Sequence, residues 1–360
     1  MKFLLSEDQN ALFQAVSDYA NDKCDSGVRR AAFESNTGFD AAFWAGLLEL
    51  GLGAIAIDPN YGGMGLELMD TALAAEALGY AGAPGPFLGH VLAGQALSLA
   101  GTEEQKQRWL PRLCTGEVTA TVAFAEPGER YTPGQWQAEL SNNRLNGHKR
   151  DVLYPEIADL TVVGVRGGFA LVERDAPGQT LAPFESADRT RRLSHVTYSD
   201  VPAEFMPAAQ DTCDTLMDAA LVLLSADAFG GAVRMLNISV EYAKTREQFG
   251  RFIAQFQALR HQLANMAVDI EASRGLYWYA AHAQDIRADD RRRVAALAKA
   301  HLGDVFMQSA RAAIEAHGGM GYTWECDAQI WLKRAMFDFA YLGPPSRHRD
   351  RAADLAGWGR

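Results

Sequence analysis

Cysteine is scarce. Cys24, Cys114, Cys213 and Cys326 are the whole complement of a 360-residue chain, and no two share a C-x-x-C spacing. That excludes a disulfide framework or a zinc ribbon and favours reduced packing thiols in a cytoplasmic setting, with no metal site expected. Positive charge is also in deficit: a net charge of -11 and a pI near 5.2 exclude the basic stripe that a nucleic-acid surface needs. The opening MKFLLSEDQNALF carries an apolar run of only three residues after Lys2. Neither a signal peptide nor an anchor is expected there, and no later stretch reads as a membrane span. Proline is absent between Pro207 and Pro344, and there are no repeats or low-complexity segments.

What remains is an ordinary globular composition, 48% hydrophobic, long enough to split into two or three domains around large cores. Residues 1–115 read as helices broken by glycine and proline. In 40-DAAFWAGLLELGL-52, Phe43, Leu47, Leu48 and Leu50 follow a helical period, and Thr102 stands three residues before Gln105 in a capping-box spacing. Residues 116–208 contain short β-branched runs, 118-VTATVAFAE-126, 160-LTVVGVRGGFALVER-174 and 193-LSHVTYSDV-201, and read as a β domain. Residues 209–360 return to long helices, roughly 214–244, 255–285, 291–317 and 327–341, which suggests a four-helix bundle.

The glycine-rich stretch 315-EAHGGMGYTWE-325 follows a helix rather than a strand and lacks a third glycine at Rossmann spacing. Gly318 and Gly319 therefore read first as a helix stop, since glycine enters the left-handed region without a Cβ penalty. Successive glycine amides also suit an anion, so a phosphate role stays open.

Helix, then β, then bundle is an uncommon order. Four stretches, 50-LGLGAIAIDPNYGGMG-65, 101-GTEEQKQRWLPRLCTGEVTATVAFAEPG-128, 242-YAKTREQFGRFIAQFQALRHQLANM-266 and 315-EAHGGMGYTWE-325, resemble motifs of the acyl-CoA dehydrogenases in the family's order and across essentially the whole chain. The resemblance implies a mostly α fold with a central, barrel-like β domain. It also implies FAD as cofactor, an acyl-CoA substrate losing hydrogens from its α and β carbons, and an electron-transfer flavoprotein as acceptor. In such proteins the flavin is clamped between subunits. Arg246, Gln248 and Phe249 of TREQFG, Gly318, Gly319 and Gly321, and less firmly Gln257 and Thr323, match positions that reach a neighbouring subunit's cofactor. Phe124 and Glu126 of AFAEPG fall in the stretch that resembles the family segment whose backbone lines the flavin ring and the thioester.

Two departures stand out. The stretch after AFAEPG, Glu129-Arg130-Tyr131-Thr132-Pro133, and the would-be flavin strand 149-KRDVLYPEIAD-159 differ from the family pattern. Tyr341-Leu342-Gly343-Pro344 stands where many members have Tyr-Glu-Gly-Thr, so the usual base is missing, and Leu221 replaces a frequent arginine. The first bundle helix offers Asp218 and Asp227. Asp227 lies inside the apolar run Leu221–Val233, where a lone carboxylate is costly unless it is paired or lines a polar cleft. It falls near the place where the short, steroid-side-chain type carries a glutamate. Two readings of Asp227 follow: a base with a burial-raised pKa, or a carboxylate capped by a neighbouring helix or paired with an arginine. His261 and His317 read as structural residues.

The favoured expectation is a dehydrogenase of bulky, steroid-like acyl-CoA thioesters. It would assemble as a tetramer with a second related dehydrogenase chain, since this chain keeps the half-site it lends and alters the half-site it uses. The alternatives are a non-catalytic subunit completing a related chain's flavin site, and a flavin oxidase or monooxygenase on the same fold.

Overall fold

The computed structural model describes residues 4–359. Six helices open the chain: α1 (Glu7–Lys23), α2 (Ser26–Glu34), α3 (Ala41–Glu49), α4 (Leu68–Ala81), α5 (Phe87–Ala100) and α6 (Glu103–Thr115). Local signals set their ends. Ser6 and Thr102 each form a capping box, with Gln9 and Gln105, that satisfies otherwise orphaned first-turn amides of α1 and α6.

Strands then run β1 (Ala120–Ala123), β2 (Glu139–Ser141), β3 (Arg144–Leu153), β4 (Leu160–Val165), β5 (Gly168–Glu173), β6 (Gln179–Phe184), β7 (Leu193–Pro202) and β8 (Glu204–Pro207). They make two four-stranded sheets, ordered β1-β4-β5-β8 and β2-β3-β7-β6. Only β1 and β4 pair in parallel among them. Phe124, Trp136 and Phe169 cluster in this domain's core, with ring centroids 5.7 to 6.4 Å apart.

Helices resume with α7 (Gln210–Thr245), which turns through a two-residue hairpin of β9 (Glu247–Gln248) and β10 (Arg251–Phe252) into α8 (Gln257–Asp285). Then come α9 (Arg291–His317), a turn at Gly318–Tyr322, α10 (Ala328–Ala340) and α11 (Pro345–Leu355). The last helix carries Arg347, Arg349 and Arg351 instead of an apolar stripe, so periodicity gave no sign of it.

The central helix α7 packs against α4 on one side and α8, α9 and α10 on the other. Contrary to expectation, it holds a stretch apolar and long enough to cross a bilayer; 94% of that window is buried inside the fold. A core helix surrounded by protein needs the same apolar composition as a membrane span. Against α4 the contact is backbone to backbone. A Cβ on Gly230 would lie 2.0 Å from the Glu76 carbonyl oxygen, and one on Gly79 would lie 2.2 Å from that of Asp227.

Candidate active site

The apolar run of α7 brings Asp227 to the junction of all three segments, and its carboxylate does not stand alone. Arg334 of α10 grips it with two donors, Nη2 to Oδ1 at 2.5 Å and Nε to Oδ2 at 3.0 Å. Arg191, from the loop before β7, adds Nη2 to Oδ1 at 2.6 Å. The other donor of Arg191 reaches Asp338 of α10 at 2.6 Å. The remaining donor of Arg334 caps the Ala83 carbonyl of the first segment at 2.8 Å. All four side chains are buried.

Burial alone would raise the Asp227 pKa, but the two guanidiniums outweigh it and hold the carboxyl well below the usual carboxylate range. Burial and the adjacent Asp227 push Asp338 the other way, well above that range. The pairing with arginine left open by the sequence is therefore the arrangement found, and it corrects the expectation of a burial-raised pKa. A carboxylate spent on two guanidiniums is a poor acceptor for an α proton.

The cleft expected beside it is nearly closed. The cavity at Asp227, between Pro84–Gly89, Leu223, Leu224 and Tyr154, measures about 30 Å³. That is room for about one water. Asp218 is fully buried on Arg351 at 2.6 Å, its pKa raised to about 6 by burial against the opposing pull of that arginine. Leu342 is buried at a φ of 57°, an unusual conformation for leucine. Its loop is pinned by Lys299 Nζ, which donates to the carbonyl oxygens of Asp338 at 2.5 Å and Gly343 at 3.4 Å.

Phe124 and Glu126 both turn their side chains into the β domain. Phe124 stacks on Trp136, and Glu126 accepts from Gln137 N at 2.6 Å, Ala138 N at 2.9 Å and Lys149 Nζ at 2.7 Å. Only the backbone of this stretch remains for a ligand. Burial lowers the Lys149 pKa to about 8, with Glu126 resisting the shift. Between about pH 8 and 10.5 the unfolded lysine then holds a proton that the folded one has released, so stability rises with pH across that window. Wild type should gain on Lys149→Met/Glu126→Gln in urea midpoints measured from pH 8 to 10; a flat difference would refute the shift.

The remaining expected residues gather at one end of the bundle. Tyr242, a turn before Arg246, stacks on His317 at 4.4 Å, and Gln262 of α8 bonds Glu315 of α9 at 3.3 Å. These contacts join the hairpin, the start of α8 and the glycine turn into one surface. His317 is structural, as expected, with Nδ1 at 2.7 Å from the Ala313 carbonyl oxygen. Arg246, Gln248, Phe249, Gln257, Gly318, Gly319 and Thr323 are all exposed there, Phe249 at 91%. Phe249 and Gly250 both take positive φ, as a two-residue hairpin turn demands.

Gly318, at φ 61°, ends α9, and no atom stands within 4 Å of a Cβ placed on it or on Gly319. Gly321 is different: a Cβ there would meet the Ile314 carbonyl oxygen at 2.5 Å, so it serves packing. An open glycine turn beside an arginine without an ion pair among the described residues suits a phosphate group.

Comparison with known proteins decides what this surface belongs to. The models of the acyl-CoA dehydrogenase N-terminal and C-terminal domains match residues 6–117 and 215–356. The acyl-CoA dehydrogenase IpdE2 of Mycolicibacterium smegmatis is 32% identical over 95% of this chain and 96% of its own. The chain belongs to the acyl-CoA dehydrogenases. The IpdE2 of Mycobacterium tuberculosis is 32% identical over 91% of each chain. A solved chain of the Tcur3481-Tcur3483 steroid ACAD superposes with a TM-score of 0.91 at 29% identity, covering 98% of both chains.

As an acyl-CoA dehydrogenase, the protein works with FAD, which when bound supplies the acceptor for the hydride. The exposed residues that could hold its phosphate end are Arg246, Gln248, Phe249 and the Gly318–Gly319 turn. Arg191, Arg334 and Asp338 were not singled out from the sequence. Their only signal is Arg334 and Asp338 standing four apart in the otherwise apolar helix 328-AQIWLKRAMFDFA-340.

Proposed function

We propose that this chain is one of two unlike subunits of an FAD-dependent dehydrogenase that introduces an α,β double bond into a bulky, steroid-like acyl-CoA. Electrons pass on to an electron-transfer flavoprotein. The chain lends Arg246, Gln248, Phe249 and the glycine turn to the flavin of a related partner chain, and that partner supplies the base and the acyl cleft. The observation carrying this reading is the nearly closed cavity at Asp227, whose carboxylate is already held by Arg191 and Arg334. A protomer whose candidate acid is already paired and whose cavity beside that acid is nearly closed, yet with an exposed aromatic and an open glycine turn, has kept what a neighbour would use. The substrate class rests on likeness to a relative described as a steroid ACAD, which is also named as a pair, Tcur3481-Tcur3483.

Within the complex the chain's own chemistry is binding: Arg246 neutralises phosphate, Phe249 shields it from water, and Gly318 and Gly319 let the backbone approach. Expressed alone, the chain should purify flavin-poor. Co-expressed with a related dehydrogenase chain as partner, it should give a complex with fewer flavins than chains, and Arg246→Ala should strip flavin from that complex. A homotetramer purified alone with one FAD per chain, dehydrogenating an acyl-CoA, would overturn the reading.

A further inference from the structure

The hairpin between α7 and α8 stands among four cations, Lys244, Arg246, Arg251 and Arg260, in a chain whose net charge is -11. Lys244 is engaged by Glu241 at 2.9 Å. The three arginines are exposed and make no ion pair among the described residues. Like charges held close together on a β ribbon repel, so arginines with no acid on their side of it point to an anion from outside.

Register decides which of them act together. Gln248 of β9 stands directly opposite Arg251 of β10, and Glu247 opposite Phe252. The bond from Ile253 N to the Arg246 carbonyl oxygen at 2.9 Å carries the pairing one step further, and Arg246 is itself extended, at φ -80° and ψ 127°. Opposite residues of an antiparallel pair share a face, and so do alternate residues along each strand. Arg246, Gln248 and Arg251 therefore lie on one face, whereas Glu247, the acid of the hairpin, lies on the other with Phe252. Arg246 and Arg251 are diagonal neighbours, about 7–8 Å apart, a separation that long side chains span.

Arg251 is also held in place. Its guanidinium carbon lies 4.1 Å from the centroid of the Phe256 ring, and the same ring meets Phe249 edge-on at 6.1 Å. A guanidinium stacked on an aromatic face keeps its N–H donors free at its edges, in the plane that suits phosphate oxygens. Less rotamer freedom then remains to be lost on binding. Arg260, in the first turn of α8, has neither that shared face nor a ring beneath it among the described residues.

We propose that Arg251 is a second cofactor-binding cation of this surface and acts with Arg246 on the pyrophosphate of the flavin dinucleotide. A pyrophosphate linking two nucleotides carries two negative charges, and Arg246 alone matches one of them. This role rests on the reading above that the surface serves a flavin, and it adds the residue that sets how tightly the diphosphate is held.

The test is the dissociation constant of FAD in the co-expressed complex, read by flavin fluorescence on titration after the flavin is stripped. Arg251→Met keeps an apolar stem on Phe256 and removes the charge. It should weaken FAD about tenfold or more, in line with the loss of one charge-assisted contact, and leave the thermal melt of the chain purified alone unchanged. Arg251→Lys should recover part of the loss, because an ammonium restores the charge but not the planar fork. The gap between wild type and Arg251→Met should narrow as salt rises to about 1 M, where exposed charges are screened. Arg260→Met is the control and should leave FAD binding unchanged. Equal losses in Arg251→Met and Arg260→Met would reduce the effect to a general field and overturn the assignment. FAD weakened by Arg246→Ala and untouched by Arg251→Met would overturn it alone, whereas FAD untouched by both would sink the lent surface as well.

Discussion

Asp227→Asn should lower the stability of the protein by about 3–5 kcal/mol, seen as a fall in the urea midpoint at neutral pH. The charge it removes is the common counter-ion of Arg191 and Arg334, both buried. Asp338 can make up only part of it, because its ion pair reaches Arg191 and not Arg334 among the described residues. Replacing Asp227, Arg191 and Arg334 together by apolar residues of similar volume should recover most of the loss. The same variant separates the two readings of this acid. In the co-expressed complex, a loss of substrate bleaching with an unchanged urea midpoint would restore Asp227 as a base.

The second large effect belongs to the crossing of α4 and α7. Gly230→Ala places a Cβ 2.0 Å from the Glu76 carbonyl oxygen and 2.7 Å from Tyr80 N, backbone atoms that cannot rotate away. The helices must part, at a cost of about 1–3 kcal/mol or more. Gly275→Ala, in the interior of α8 with nothing within 4 Å of the new Cβ, should instead gain about 0.5–1 kcal/mol. Thermal melts of the two variants side by side make the comparison, and equal melting temperatures would refute the backbone contact.

Much of the fold was legible because its signals are local. The Thr102 capping box, the turn glycines and the unbroken apolar periods from 214 to 317 each depend on residues a few positions apart. The glycine turn read correctly as a helix stop for the same reason. The site was legible only in part: the missing acid at Leu342 and the oddity of Asp227 could be seen, whereas its partners lie 36 residues upstream and 107 downstream in sequence, at Arg191 and Arg334. No pattern of period 2 or 3.6 links such positions. The inward turn of Phe124 and Glu126 escaped for a similar reason, since the lysine that claims Glu126 comes from β3. Helix α11 escaped because its arginines face partners on other elements, Asp304 and Asp218, rather than each other.

The junction at Asp227 takes one member from the β domain, one from α7 and two from α10, and Arg334 reaches back to Ala83 in the first segment. Replacing Asp227 strands two guanidiniums in the interior, whereas loss of either arginine leaves the other on its carboxylate. Descent through this family should therefore have been free to add or drop one arginine while the acid stayed. Related chains with both Arg191 and Arg334 should keep an acid at the position of Asp227, and a chain with both arginines and no acid there should be rare.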